Sequence, residues 1–299
     1  MKSSHYIQFV RIVEVGPRDG LQNEKKLLSA EIKAQFIDML SDSGLKTIEA
    51  GAFVSPKWVP QMTDSGKVYA SIRKKDSVSY PVLVPNMQGM EAVIAAGVKE
   101  IAVFAAASET FSQKNINCSI TESLERFVPV LEAAKAHGIK ARGYVSCIMG
   151  CPYEGEIAPI AVVRVVKALL DMGCYEISLG DTIGNGTPEK TEELLDAVLL
   201  QIPATALAVH FHDTNGHALE NIRVALSKGI AVVDSATGGI GGCPYAPGAS
   251  GNVATEKVLE LMKELKIETG VDAGKIRAAG AFIRQALFLP AFQASAPCP

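Results

Sequence analysis

Tyr175-Glu-Ile-Ser-Leu-Gly-Asp-Thr-Ile-Gly-Asn-Gly-Thr-Pro-Glu-Lys-Thr-Glu-Glu-Leu-Leu-Asp-Ala-Val-Leu-Leu-Gln201 contains one strand, one polar turn and one helix. Residues 175–179 form a short, largely apolar run. Thr187-Pro188 then supplies a hydroxyl N-cap followed by proline at the first helical position, and apolar residues follow at helical spacing to Gln201. Working outward, the same unit recurs. Apolar runs stand at 10–15, 47–50, 82–84, 101–105, 141–147, 175–179, 206–211 and 232–236, eight in all, with amphipathic stretches such as 29–43, 119–137, 157–172 and 187–201 between them. Near-continuous apolar strands alternating with helices imply a parallel sheet covered on both faces. Eight units in this length fit a closed (β/α)8 TIM barrel better than an open doubly wound sheet. The dinucleotide fingerprint of that open alternative is also missing: the first strand runs into Gly16-Pro-Arg-Asp-Gly20, not GxGxxG. A further helix over 272–287 and a Pro/Ala/Ser tail complete the chain. The expectation is one catalytic domain over 1–299, with the barrel at about 9–268 and a C-terminal helix and tail at about 271–299.

Composition narrows the functions this barrel can serve. The 299 residues carry 29 Lys/Arg and 32 Asp/Glu, interspersed, for a net charge of -3, and 48% are hydrophobic. No basic stripe is present to neutralise phosphates, so no nucleic-acid partner is expected. No apolar span is long enough to cross a membrane. The N-terminal residues lack both the apolar core of a signal peptide and an Arg-rich transit segment, which points to the cytoplasm. Six cysteines are too few for a disulfide scaffold. Cys118, Cys147, Cys151 and Cys174 read as packing residues, while Cys298 in the tail is open to pairing between subunits.

Chemistry in a barrel of this kind gathers at the C-terminal ends of the strands. Those ends here carry Arg18-Asp19, Glu49, Tyr144, Cys147, Ser178, Asp181-Thr182 and His210-Phe-His-Asp213. His210 and His212 are two apart on a strand and so share a face. They read as a pair of metal ligands or, equally, as hydrogen-bonded rim histidines. Asp19 and Asn252 would complete a mixed nitrogen and oxygen set suited to Mg²⁺ or Mn²⁺, with Zn²⁺ or Co²⁺ possible. Arg18 offers a permanently charged fork for a carboxylate or a developing enolate, and also a scaffold pair for Glu49 or Asp181. The stretch 237–252 holds six glycines around Cys243, a composition that suits a lid or a close backbone approach to ligand. A thiol there, with a reference pKa of about 8.5, is protonated at neutral pH and could donate a proton.

The stretches Val15-Gly-Pro-Arg-Asp-Gly-Leu-Gln-Asn-Glu24, Ser146-Cys-Ile-Met-Gly-Cys-Pro-Tyr-Glu-Gly155, Tyr175-Glu-Ile-Ser-Leu-Gly-Asp-Thr-Ile-Gly184, His210-Phe-His-Asp-Thr-Asn-Gly216 and the Cys243 loop resemble the 3-hydroxy-3-methylglutaryl-CoA lyases. These belong to a wider superfamily of metal-dependent lyases and Claisen synthases. The resemblance spans residues 10 to about 265 and implies cleavage of (S)-3-hydroxy-3-methylglutaryl-CoA to acetyl-CoA and acetoacetate. It implies a divalent Mg²⁺ or Mn²⁺ on Asp19, His210, His212 and Asn252. Asp19 or His210 would take the hydroxyl proton, Arg18 would stabilise the enolate, Cys243 would protonate it, and Glu49 would hold Arg18 or relay protons. Gln22, Tyr144, Ser178, Asp181 and Thr182 would line the acyl pocket with Arg18.

A homodimer is also implied, with the apolar segment 282–292 as one possible interface, as is a role in leucine breakdown or ketone-body formation. The animal members' mitochondrial leader and peroxisomal C-terminal tripeptide have no counterpart here, which supports a cytoplasmic enzyme of bacterial type. The alternatives are a synthase or aldol lyase acting on a 2-oxo acid, a metal hydrolase on the same fold, and a non-catalytic CoA-ester binding protein. Lys25, Lys26 and Lys57 are candidates for the CoA-binding rim.

Overall fold

The structure is a computed structural model that describes residues 7–242 and 251–292. Its strands are β1 (Arg11–Glu14), β2 (Thr47–Ile48), β3 (Gly51–Ala52), β4 (Val82–Leu83), β5 (Glu100–Ala106), β6 (Lys140–Ser146), β7 (Ile177–Asp181), β8 (Leu207–Phe211) and β9 (Val232–Ser235). All pair in parallel, in the order β2-β1-β9-β8-β7-β6-β5-β4-β3. The two ends of that order are halves of one strand. Only Glu49 and Ala50 separate β2 from β3; the Glu49 N–H bonds to Glu14 O on one side and the Ala50 N–H to Pro81 O on the other, each at 2.8 Å. The sheet therefore closes, and the eight expected strands appear as nine because the second changes ladder partners midway.

Parallel strands covered on both faces must be apolar throughout, and every residue of β7 and β8 is buried. The covering helices begin where the sequence supplies caps. Ser29 accepts from Ile32 N ahead of Ala30–Ser41, Ser119 and Glu122 form a capping box for Ile120–Ala136, and Thr187 accepts from Lys190 N ahead of Pro188–Leu199. Pro159–Asp171 starts on its proline. The C-terminal helix Ala273–Ala286, capped by Asp272, packs against Ala30–Ser41 and the turn Thr237–Gly239. Phe9 bridges to Glu268, so the two ends of the barrel meet. No helix among the described residues is long and apolar enough to cross a membrane.

Candidate active site

The turn that leaves β1 sets the geometry. Gly16–Gly20 forms a tight, mostly buried helical turn with Pro17 near its start, which delivers Arg18 and Asp19 to the barrel mouth. Its neighbour is the stem of the glycine loop. Gly241 adopts φ +93°, and a Cβ there would lie 2.9 Å from the Gly20 Cα, so only glycine permits this approach. Glu14, fully buried at the end of β1, ties the two together. Its carboxylate accepts from Gly16 N, from Thr237 N and Oγ1, and from Thr255 Oγ1.

Arg18 is buried and points across the mouth. Its Nε donates to Glu49 Oε2 at 2.7 Å, its Nη1 donates to Asp19 Oδ1, and its guanidinium lies 5.3 Å from the centre of the Tyr144 ring. Tyr144 OH donates to the same Glu49 oxygen at 3.3 Å. Burial works against the Arg18 charge, but Glu49 and Asp19 more than offset it and hold the guanidinium protonated. Burial raises the Glu49 carboxyl against the pull of Arg18, and Glu49 Oε1 has no hydrogen-bond partner.

Beside this arginine three ligand atoms converge. One from each of Asp19, His210 and His212 lie within 4.8 Å of one another, the only such His/Cys/Asp/Glu group among the described residues. His210 Nε2 stands 3.8 Å from Asp19 Oδ2, and the two imidazole centres are 5.5 Å apart. Asn252 joins them because the chain returning from the glycine loop pairs with the end of β8. His212 and Asn252 form an isolated bridge, Asp213 N bonds to Gly251 O, and Asn252 Nδ2 donates to Asp19 Oδ2 at 2.8 Å.

The protonation states suit a cation. Burial opposes charge on Asp19, yet Arg18 and the two imidazoles hold its carboxyl well below the usual range. Burial, with His210 adding to it, pushes His212 down to about 4. An ionised carboxylate and a neutral imidazole are the forms in which these groups ligate metal, and a mixed nitrogen and oxygen set fits a divalent ion.

One layer deeper lies a polar network that the sequence analysis did not single out. Arg142 on β6 donates through both terminal nitrogens to Asp234 on β9, at 2.7 and 2.9 Å, and through Nε to Glu176 at 2.8 Å. Ser178 Oγ donates to Asp234 Oδ2 at 2.7 Å, and Arg11 binds the other Glu176 oxygen. The available signal was a charge in the middle of an apolar run, Arg142 within 141–147 and Asp234 within 232–236.

The structure brings Arg18, Asp19, Glu49, Tyr144, His210, His212 and Asn252 to one mouth, and turns two other expected pocket residues, Ser178 and Asp181, to partners elsewhere. Ser178 is fully buried in the deeper layer. Asp181 spends its two oxygens on Asn185 N and Gly186 N, because a buried carboxylate at a strand end takes the nearest unpaired amides. Thr182 Oγ1 accepts from Cys147 N, and Gln22 is half-buried just after the β1 turn. Lys26 Nζ sits over the exposed Phe288 ring at 3.0 Å, Lys57 lies near Trp58, and Lys25 is exposed.

Cys118, Cys147, Cys151 and Cys174 are buried free thiols, and burial raises Cys147 and lifts Cys174 to about 12. Cys243 and Cys298 lie outside the described residues. Cavities of about 400 and 510 Å³ open at the opposite, N-terminal end of the barrel, lined by residues such as Lys46, Lys99 and Tyr175, and hold no convergent ligand set.

Comparison with known proteins agrees with this geometry. The HMGL-like family model matches residues 9–283. A mitochondrial hydroxymethylglutaryl-CoA lyase of Bos taurus is 59% identical over 278 residues, 93% of this chain and 86% of that one. A cytoplasmic 3-hydroxy-3-methylglutaryl-CoA lyase of Danio rerio is 58% identical, covering 93% and 83% of the two chains. The crystal structure of hydroxymethylglutaryl-CoA lyase from Pseudomonas aeruginosa superposes with a TM-score of 0.95 at 55% identity, covering 97% of this chain and 96% of that one.

Proposed function

The chain belongs to the HMGL-like family and acts as a carbon–carbon lyase on 3-hydroxy-3-methylglutaryl-CoA, releasing acetyl-CoA and acetoacetate, and we propose that it does so with Mg²⁺ or Mn²⁺ at the barrel mouth. The observation that carries the metal is the convergence of Asp19, His210 and His212 beside Arg18. Asp19, His210, His212 and Asn252 would hold the ion, which would supply the Lewis-acid polarisation that lowers the pKa of the substrate's 3-hydroxyl.

The chain's own residues supply the rest. Asp19 or His210 takes the 3-hydroxyl proton, the carbonyl of acetoacetate forms at C3, and the C2–C3 electron pair leaves as the thioester enolate. Arg18, held by Glu49 and with Tyr144 against its face, carries the positive charge that the enolate oxygen meets, and its charge is already paid for in the resting site. Cys243 then gives its proton to C2, and the thiolate recovers one through solvent from the residue that took the hydroxyl proton. Gln22, Thr182 and Tyr144 face the acyl group, and Lys25, Lys26 and Lys57 form the rim for the CoA nucleotide.

The working unit is a single catalytic domain over 1–299, which the Phe9–Glu268 bridge supports. A homodimer through the C-terminal segment is supported by Phe288, which is 81% exposed. A cytoplasmic address is supported by the named Danio rerio relative. The products suit leucine breakdown or ketone-body formation.

The test is a coupled assay of acetoacetate and acetyl-CoA from (S)-3-hydroxy-3-methylglutaryl-CoA, with and without Mg²⁺ or Mn²⁺, on wild type and Cys243→Ala. Metal-dependent turnover that collapses in the variant while substrate still binds supports the assignment. Undiminished turnover in Cys243→Ala returns that thiol to packing.

A further inference from the structure

We infer that Asp234, clamped by Arg142 and Ser178, is a positioning residue that fixes His210 with its proton on Nδ1 and its Nε2 lone pair turned to the cation. The inference rests on the reading of Asp19, His210 and His212 as a metal site. His210 on β8 pairs in register with Asp234 on β9, so the two side chains are cross-strand neighbours inside the barrel. His210 Nδ1 is buried and makes no hydrogen bond of normal geometry, yet it stands 3.4 Å from Asp234 Oδ2. Its other ring nitrogen faces Asp19. A buried nitrogen beside a carboxylate is satisfied by donating, which leaves the opposite nitrogen with its lone pair free.

The rest of the network keeps Asp234 from turning away. Arg142 grips both of its oxygens, Ser178 donates to the one that His210 approaches, and Glu176, itself bound by Arg11, pins the Arg142 guanidinium from its other edge. A structural ion pair alone would require only Arg142 and Asp234. The alignment of Oδ2 on His210 is the additional feature, and carboxylates placed behind metal-binding histidines typically account for about 10–100-fold in metal affinity.

The experiment measures Mn²⁺ binding by the electron paramagnetic resonance of the free ion, and His210 ring ¹⁵N shifts in metal-free protein. Wild type is compared with Arg142→Met/Asp234→Leu, which removes the buried pair as a unit and so avoids leaving one charge alone. Wild type is expected to bind one Mn²⁺ per chain and to show the Nδ1–H tautomer. The double variant is expected to lose about 10–100-fold in affinity and to show mixed tautomers. A folded double variant with wild-type affinity would overturn the inference, as would a wild-type His210 protonated at Nε2. If the double variant does not fold, the wild-type tautomer decides. If wild type binds no Mn²⁺, the metal reading fails, and the ring shifts still judge the Asp234 pairing separately.

Discussion

Two polar layers sit one above the other in this barrel, and they spend their hydrogen bonds differently. In the deeper layer Arg142, Asp234, Glu176, Ser178 and Arg11 bind one another. At the mouth, Asp19, His210 and His212 converge with few partners other than Arg18, Asn252 and each other, while Glu49 Oε1 is left unpartnered. A closed network rigidifies a core, whereas buried atoms left without a hydrogen-bond partner, here His212 Nδ1 and Glu49 Oε1, have capacity to bind something else. The contrast separates scaffold from site on physical grounds, and the predicted effects differ in kind accordingly.

The largest effect belongs to the mouth. Asp19→Asn should lower turnover about 10³-fold or more, since metal polarisation contributes several kcal/mol, with little change in urea midpoint. An unfolded Asp19→Asn would break the contrast. Next comes the deeper layer, where Arg142→Met leaves Asp234 and part of Glu176 buried without their cation. A stability loss of about 3–5 kcal/mol is expected by urea denaturation, with recovery in Arg142→Met/Asp234→Leu. Arg18→Gln should lower kcat by about 10²–10³, and a change mainly in KM would place the guanidinium on the ground state.

A pH scan of chelator-treated protein tests the stem between the layers. Glu256, which accepts from Gly238 N, is raised by burial from 4.5 to about 7. Folded protein therefore binds the extra proton, so this group's contribution to stability is full below pH 4.5 and is lost as pH rises to about 7, by about 3 kcal/mol. His212, depressed from 6.5 to about 4, has the opposite slope, with stability falling as pH drops through that window. Glu256→Gln should leave the His212 slope alone, and an unchanged profile would show that Glu256 keeps an ordinary pKa. The smallest effect lies outside both layers: Thr187→Ala removes an N-cap and should cost about 1 kcal/mol without touching turnover.

The barrel was legible because its signals are local and repeated. Apolar runs, Thr187-Pro188 and the cap at Ser119 each declare an element boundary. The break between β2 and β3 was not legible, since it depends on which neighbour each amide of residues 48–50 meets. At the mouth, His210 and His212 were visible as a strand pair, and Arg18-Asp19 as an unusual turn. What sequence could not show was commitment. Ser178 and Asp181 stand at the strand ends as Tyr144 does, yet a neighbouring carboxylate takes one and two loop amides take the other. Asp234 was hidden within an apolar run because its partner Arg142 lies 92 residues away along the chain.

The most direct test of the central claim is a crystal of the protein grown with Mn²⁺, with anomalous scattering collected at the manganese edge. The account predicts one strong peak per chain at the barrel mouth, within coordination distance of an Asp19 oxygen and of one nitrogen each of His210 and His212. A saturated protein with no peak there, or with its only peak elsewhere, would contradict it.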